Sequence, residues 1–216
     1  MVVHSIGVEQ AQPEIRANSV WRGRVWMLVV WLVCASPVVA SYLTFYVIRP
    51  QSRNSYGELI EPQRPLPSLA TISLDGKPGD LQSLKGQWLL ISVAPGACGD
   101  RCQEHLYLQR QLRESLGKDK NRVDWVWLVS DDAPLTPALA GAVASATVLR
   151  VPEAELASWL ATPQGHSISE SLYLVDPLGN LMLRFPPDLN LQTAAKAKRD
   201  LDRLLRASES WNKARK

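Results

Sequence analysis

The chain has 216 residues, 46% hydrophobic and 21% charged, with 15 Pro, 12 Gly and 3 Cys, a composition that excludes collagenous, disordered and disulfide-framework classes. Twenty-four Lys and Arg against 21 Asp and Glu leave a formal charge of +3, too small and too evenly spread to mark a nucleic-acid binder. Eight Trp and 5 Tyr against 2 Phe favour rings with a polar handle, which suit a membrane interface or the rim of a site.

Val25 to Ile48 is a run of 24 uncharged residues, roughly 36 Å long as a helix and enough to cross a hydrocarbon core of about 30 Å. It reads as a transmembrane helix over 25–48, with Arg22, Arg24 and Arg49 at its flanks, Trp21, Trp26, Tyr42 and Tyr46 at headgroup level, and a kink expected at Pro37. A cleaved signal peptide is the competing reading, because Val38-Val39-Ala40 resembles a cleavage site, but the apolar run exceeds an ordinary signal core. Arg16, Arg22 and Arg24 before the span balance Arg49, Arg53 and Arg64 after it, so charge does not choose an orientation. A short cytoplasmic tail over 1–24 and a large domain outside is the commoner arrangement, and the cysteines below favour it. Cys34 lies inside the span and reads as a small hydrophobe.

Residues 49–67 (RPQSRNSYGELIEPQRPLP) are polar, proline-bearing and aperiodic, as expected of an extended linker. One domain follows, over 68–207. Ala70 to Leu74 reads as a short strand ended by the Asp75-Gly76 turn, and Trp88 to Val93 as a buried central strand. Leucines 106, 108, 112 and 116 mark a helix from about Asp100 to Leu116, and Val123 to Val129 a second buried strand, parallel to the first across that crossover. A short helix (Ala138 to Ala146), a strand (Thr147 to Val151), a helix (Pro152 to Ala161), a hairpin (Leu172 to Val175 with Leu181 to Phe185) and an amphipathic helix (Leu191 to Ala207) complete the order. The fold class is α/β, a thioredoxin-like mixed sheet flanked by helices and preceded by one transmembrane helix. A charged tail over 208–216 reads as a solvated helix end.

The residues with chemical content are Cys98 and Cys102, in Cys98-Gly99-Asp100-Arg101-Cys102, where the loop after the central strand becomes a helix. A helix N-terminus favours a thiolate, and Arg101 adds to the effect. Sulfurs four residues apart across such a seam can form a disulfide or clamp a soft metal. The pair therefore serves redox chemistry, with Cys98 as attacking thiol, or copper, Cu(I) by two thiolates and Cu(II) with an added imidazole. His4 precedes the span and is excluded. His105 and His166 remain as candidates, His166 in the loop TPQGHSIS before the hairpin. Zinc fits less well, for want of a second cysteine pair.

At these residues the chain resembles the Sco/SenC family, over roughly Leu66 to Leu205. The likeness is carried by Leu81-x-x-Leu84-Lys85-Gly86-Gln87-Trp88, Cys98 to Cys102, Val129-Ser130-Asp131-Asp132 followed by Leu135-Thr136-Pro137, and Tyr173-Leu174-Val175-Asp176-Pro177-Leu178-Gly179. The resemblance implies a thioredoxin-fold domain anchored in a bacterial inner membrane, facing the periplasm. It also implies copper held by Cys98, Cys102 and His166, and a cytochrome c oxidase subunit as the partner whose copper site is matured. A metallochaperone is then favoured over an enzyme; the alternatives are a tethered thiol-disulfide oxidoreductase without copper and an interaction module. The chain departs from the family at Gly99 and Gln103, where proline is usual, and at His166, seven residues before Tyr173 rather than five.

Overall fold

The structure, a computed structural model, describes residues 14–48, 55–160, 162 and 164–209. His4, most of the 1–24 tail, residues 49–54 and residues 210–216 lie outside the described residues. The chain divides into two units, Met1–Asn54 and Ser55–Lys216.

In the first unit α1 (Glu14–Leu43) runs on into a π-helical turn over Thr44–Ile48. Val20–Tyr46 of this unit is 27 residues long, and its most apolar stretch, with a mean hydropathy of 2.0 and no buried side chains, is long and apolar enough to cross a membrane. The helix begins at Glu14, well before Val25, because hydrogen bonding, not hydropathy, bounds a helix, so Arg22 and Arg24 lie within it. The helix also passes through Pro37. A proline cannot donate to the carbonyl four residues back, here that of Val33, and the Ser36 hydroxyl donates to this oxygen instead, at 2.9 Å.

The second unit is organised by β4 (Trp88–Ala94), all seven of whose residues are buried. Its neighbours are β5 (Val123–Val129), parallel, with Leu90 opposite Trp125, and β7 (Leu172–Val175), antiparallel, with Leu90 opposite Leu174. On one side β6 (Thr147–Arg150) runs parallel to β5, followed by β2 (Ala70–Ser73) and β3 (Pro78–Asp80), both antiparallel to their neighbours. On the other, β8 (Asn180–Phe185) pairs with β7, and β1 (Glu58–Pro65) pairs with β8. Among the described residues this is one eight-stranded mixed sheet, ordered β1-β8-β7-β4-β5-β6-β2-β3.

Strand alternation assigns the two faces of the sheet. Leu89, Ile91, Val93, Val126 and Leu128 pack with Leu156 and Trp159 of α4 (Glu153–Trp159). Leu90 packs with Leu112 of α2 (Asp100–Ser115) and with Leu201 and Leu205 of α5 (Ala194–Ala207). Trp125, Trp127 and Val129 pack with Leu106 of α2 and with Leu139 of α3 (Pro137–Ala142).

The 49–67 linker is corrected from Ser55 onward. Glu58–Pro65 is an edge strand, with Ile60 and Leu66 in the core and an ion pair from Arg184 of β8 to Glu58. Prolines are tolerated on an edge because their missing N–H groups point away from the ladder. The start is clasped as well: buried Asp200 of α5 accepts the Tyr56 and Gly57 N–H groups at 2.6 and 2.9 Å. The β2–β3 hairpin, with Gly76 at φ 75° in its turn, adds a strand too short to show a period.

Candidate functional site

Parallel β4, β5 and β6 send their following loops to one end of the sheet. Antiparallel β7 begins there and β8 ends there, so the cysteine loop, the His166 loop and the 186–190 segment meet at that end. Such a carboxyl edge is where open α/β sheets place their sites.

The loop leaving β4 is held by its neighbour. The Gly96 N–H donates to Asp131 Oδ1 at 2.7 Å, the Ala133 N–H donates to the same oxygen at 3.3 Å, and Arg150 binds the Asp131 and Ala133 carbonyls at 2.6 and 3.0 Å. A Cβ at Gly96 would sit 2.3 Å from the Ala133 oxygen, so only glycine lets the two loops approach this closely. The helix then starts at once, with Gly99 in extended geometry as its cap. Gln103 stands where the Sco/SenC pattern has proline and does what a proline could not. Its N–H donates to the Gly99 carbonyl and its Nε2 to the Cys98 carbonyl, at 3.0 and 3.1 Å.

Cys98 and Cys102 form a disulfide, with Cα atoms 5.3 Å apart. Cys98 is 6% exposed and packs with Ala94, Leu106 and Trp127, whereas Cys102 is half-buried. Cys102 lines a cavity of about 330 Å³ with Gly99, Asp100, Arg101, His105 and Glu170. The expectation that Cys98 is the more exposed sulfur is therefore corrected. Cys98 precedes the helix cap and packs inward, and Cys102, in the first turn, is on the cavity wall.

His166 is not on that wall. It lines a larger cleft of about 810 Å³ with Arg101, Glu104, His105, Glu170 and Asp188. Its Nδ1 lies 2.6 Å from Glu170 Oε2, a bond that holds the Glu170 carboxyl below its ordinary range. Among the described residues no group of three or more His, Cys, Asp and Glu side chains stands ready to hold a metal ion. Cys98, Cys102 and His166 are thus not gathered in this disulfide form, and bonded sulfurs offer no thiolate to copper. His105 is the histidine that shares the Cys102 cavity. It is half-buried and its pKa is lowered, first by burial and then by Arg101, against the opposing pull of Glu104 and Glu170. Glu170 and Asp188 were not singled out from the sequence. The one signal Glu170 carries in the sequence is its four-residue spacing from His166, and Asp188 carries none.

A family model for the transmembrane-like, thioredoxin-like C-terminal domain matches residues 88–208. The chain belongs to that family. Its fold is also that of apo Sco1 from Thermus thermophilus, at 21% identity over 70% of this chain and 97% of that one, with a TM-score of 0.52. A proposed protein disulfide isomerase from Bacteroides thetaiotaomicron matches at 19% identity over 73% and 98%, with a TM-score of 0.53. A weaker likeness, with a TM-score of 0.49 at 14% identity over 64% and 86%, reaches yeast Sco1 solved with copper bound. No curated protein matches the chain. The expected likeness to the Sco/SenC family is met in the fold: a thioredoxin-like sheet with a C-x-x-x-C pair at the seam and one N-terminal apolar helix.

Proposed function

We propose that this chain is a membrane-anchored thiol-disulfide exchange protein acting on cysteines of a client at the membrane. The observation that carries the reading is the Cys98–Cys102 disulfide at the start of α2 with Cys102 on an open cavity wall. A client thiolate attacks Cys102 Sγ, the bond to Cys98 breaks, and Cys98 leaves as a thiolate at the N-terminus of α2. A second client thiolate attacks the mixed disulfide and releases Cys102. The client is oxidised by two electrons, the pair is reduced, and the two client protons pass to solvent or to the released thiolates. Run backward, the reduced pair reduces a client disulfide, and relative reduction potentials set the direction.

A second reading follows from the reduced state. Two thiolates there are soft ligands suited to Cu(I), and the His166 loop ends at the same sheet edge. Under that reading copper is the cargo and His166 the third ligand. The client is the cytochrome c oxidase subunit that carries a copper site, and the domain faces the periplasm of a bacterial inner membrane.

The test is a glutathione redox titration of the full chain in detergent, with mass spectrometry of both single-serine variants. Cys98→Ser is expected to accumulate a mixed disulfide with glutathione at Cys102, and Cys102→Ser to react more slowly. A reduction potential below about −300 mV would mark a structural staple and refute exchange. For copper, the reduced chain should take up one Cu(I) and lose it in His166→Ala; no uptake removes the second reading and leaves the first standing.

A further inference from the structure

The Cys102 cavity adjoins a larger cleft, and the two share Arg101, His105 and Glu170. At about 810 Å³ the cleft falls within the range of about 300–1,000 Å³ that encloses a small ligand. Its apolar lining is Pro187 and buried Leu189, and its charges are of both signs, Arg101 against Glu104, Glu170 and Asp188. Glu170 is taken by His166 at 2.6 Å. Arg101, Glu104 and Asp188 are exposed, and among the described residues they enter no ion pair. Arg101 and Glu104 stand one turn apart on α2 yet do not pair. Asp188 follows β8, and its carboxylate accepts the Tyr56 hydroxyl at 3.1 Å.

A guanidinium presents a fork that fits a carboxylate, and carboxylates accept the three donors of an ammonium. A simple anion or cation would match one sign of this cleft and be repelled by the other, so the lining fits a ligand that carries both. The neighbouring disulfide adds a third requirement, a thiol. We propose that the cleft binds a low-molecular-weight peptide thiol, its carboxylate on Arg101 and its ammonium on Glu104 and Asp188, and that this thiol reduces the Cys98–Cys102 disulfide. The inference rests on the exchange reading and gives its reducing direction a source of electrons. The bound thiolate attacks Cys102 Sγ, a new S–S bond forms there, and the bond to Cys98 breaks with its electron pair left on Cys98. A second thiolate attacks the ligand sulfur of the mixed disulfide and releases Cys102. Two thiols become one disulfide, the pair gains two electrons, and the two thiol protons pass to Cys98 and Cys102 or to solvent.

The test follows reduction of the Cys98–Cys102 bond in the full chain in detergent by three probes. Glutathione carries thiol, carboxylates and ammonium; N-acetylglutathione lacks the ammonium; β-mercaptoethanol is an uncharged thiol. Each probe's rate is divided by its rate on free hydroxyethyl disulfide, which cancels its own reactivity. The result is divided by that for β-mercaptoethanol, which cancels the reactivity of the protein disulfide. At about 0.1 M salt the glutathione ratio should exceed the N-acetylglutathione ratio about threefold, the scale of an exposed ion pair. Glu104→Gln with Asp188→Asn should remove that excess and leave the N-acetylglutathione ratio where it was; both changes keep the side chain's shape, and Asp188→Asn keeps an acceptor for the Tyr56 hydroxyl. Arg101→Gln should lower both ratios about threefold. The excess should also fade at about 1 M salt, where the screening length is about 3 Å. Equal ratios for the two peptides in the parent, or ratios that no variant moves, would overturn the proposal and leave the exchange reading standing. Failure of all three thiols to reduce the bond would overturn the exchange reading, and this inference with it.

Discussion

Gln109 lies in the middle of the helix that carries Cys102 and is fully buried, yet each of its polar atoms is used. Its Nε2 donates to the Leu90 and Val126 carbonyls at 2.6 and 2.9 Å, and its Oε1 accepts the Trp125 indole N–H at 2.7 Å. One side chain thus fastens α2 to β4 and β5 together. Gln109→Leu keeps the volume but leaves the Trp125 N–H, itself in a residue only 4% exposed, without that acceptor. A stranded buried donor costs about 1–3 kcal/mol, and a carbonyl that loses one of two partners costs less. The added apolar surface offsets part of this, so the expected loss is about 2 kcal/mol. With a urea slope of about 2 kcal/mol per molar, the midpoint should fall by about 1 M, read by circular dichroism so that Trp substitutions do not disturb the signal. The decisive arm is a double-mutant cycle. In a Trp125→Phe background there is no indole donor to strand, so Gln109→Leu should cost at least about 1 kcal/mol less than in the parent. Strict additivity would refute the reasoning. Gln109→Glu supplies a pH signature as well. Burial and the two facing carbonyls raise the introduced carboxyl's pKa in the folded state. Stability is then fullest below the unfolded carboxyl value and is lost as pH rises through the folded one, opposite to the loss expected from a salt-bridged acid.

Two further outcomes test the site. Asp131→Ala removes the acceptor of the Gly96 N–H and should cost about 1 kcal/mol while speeding dithiothreitol reduction of the Cys98–Cys102 bond; Asp131→Asn, which keeps an Oδ1, should behave nearly as the parent in both assays. Burial lowers the His105 pKa in the folded chain, so its contribution is present above the unfolded value near 6.5 and is lost as pH falls below it. His105→Gln should therefore flatten the decline of the urea midpoint between about pH 7 and pH 5, and an unchanged decline would place that dependence on other groups.

What the sequence disclosed follows a physical divide between local and distant causes. Trp88 to Val93 and Val123 to Val129 were legible because a fully buried strand must be apolar on both faces, whatever lies beside it. Cys98 and Cys102 were legible because four residues and a strand-to-helix seam suffice to bring two sulfurs together. β1 was hidden for the opposite reason. Its residues Glu58–Pro65 carry charge and proline, and they become a strand only through β8, with Glu58 opposite Arg184, a partner 126 residues away. Local polarity there states only that the strand lies at an edge.

The same divide decides the site. The turn alone makes Cys98 the more exposed sulfur. The face it presents is set by packing with Ala94, Leu106 and Trp127, which come from β4, α2 and β5. Glu170 joins the Cys102 cavity because β7 runs antiparallel to β4 and begins where β4 ends. No spacing between residues 102 and 170 encodes that. The chemistry of reactive atoms can thus be read from a short segment, but which atom faces the client, and which acid and imidazole stand beside it, is a property of the closed sheet. That makes Cys98→Ser against Cys102→Ser the sharper comparison than any change within the C-x-x-x-C loop, since it asks which sulfur the whole fold leaves open.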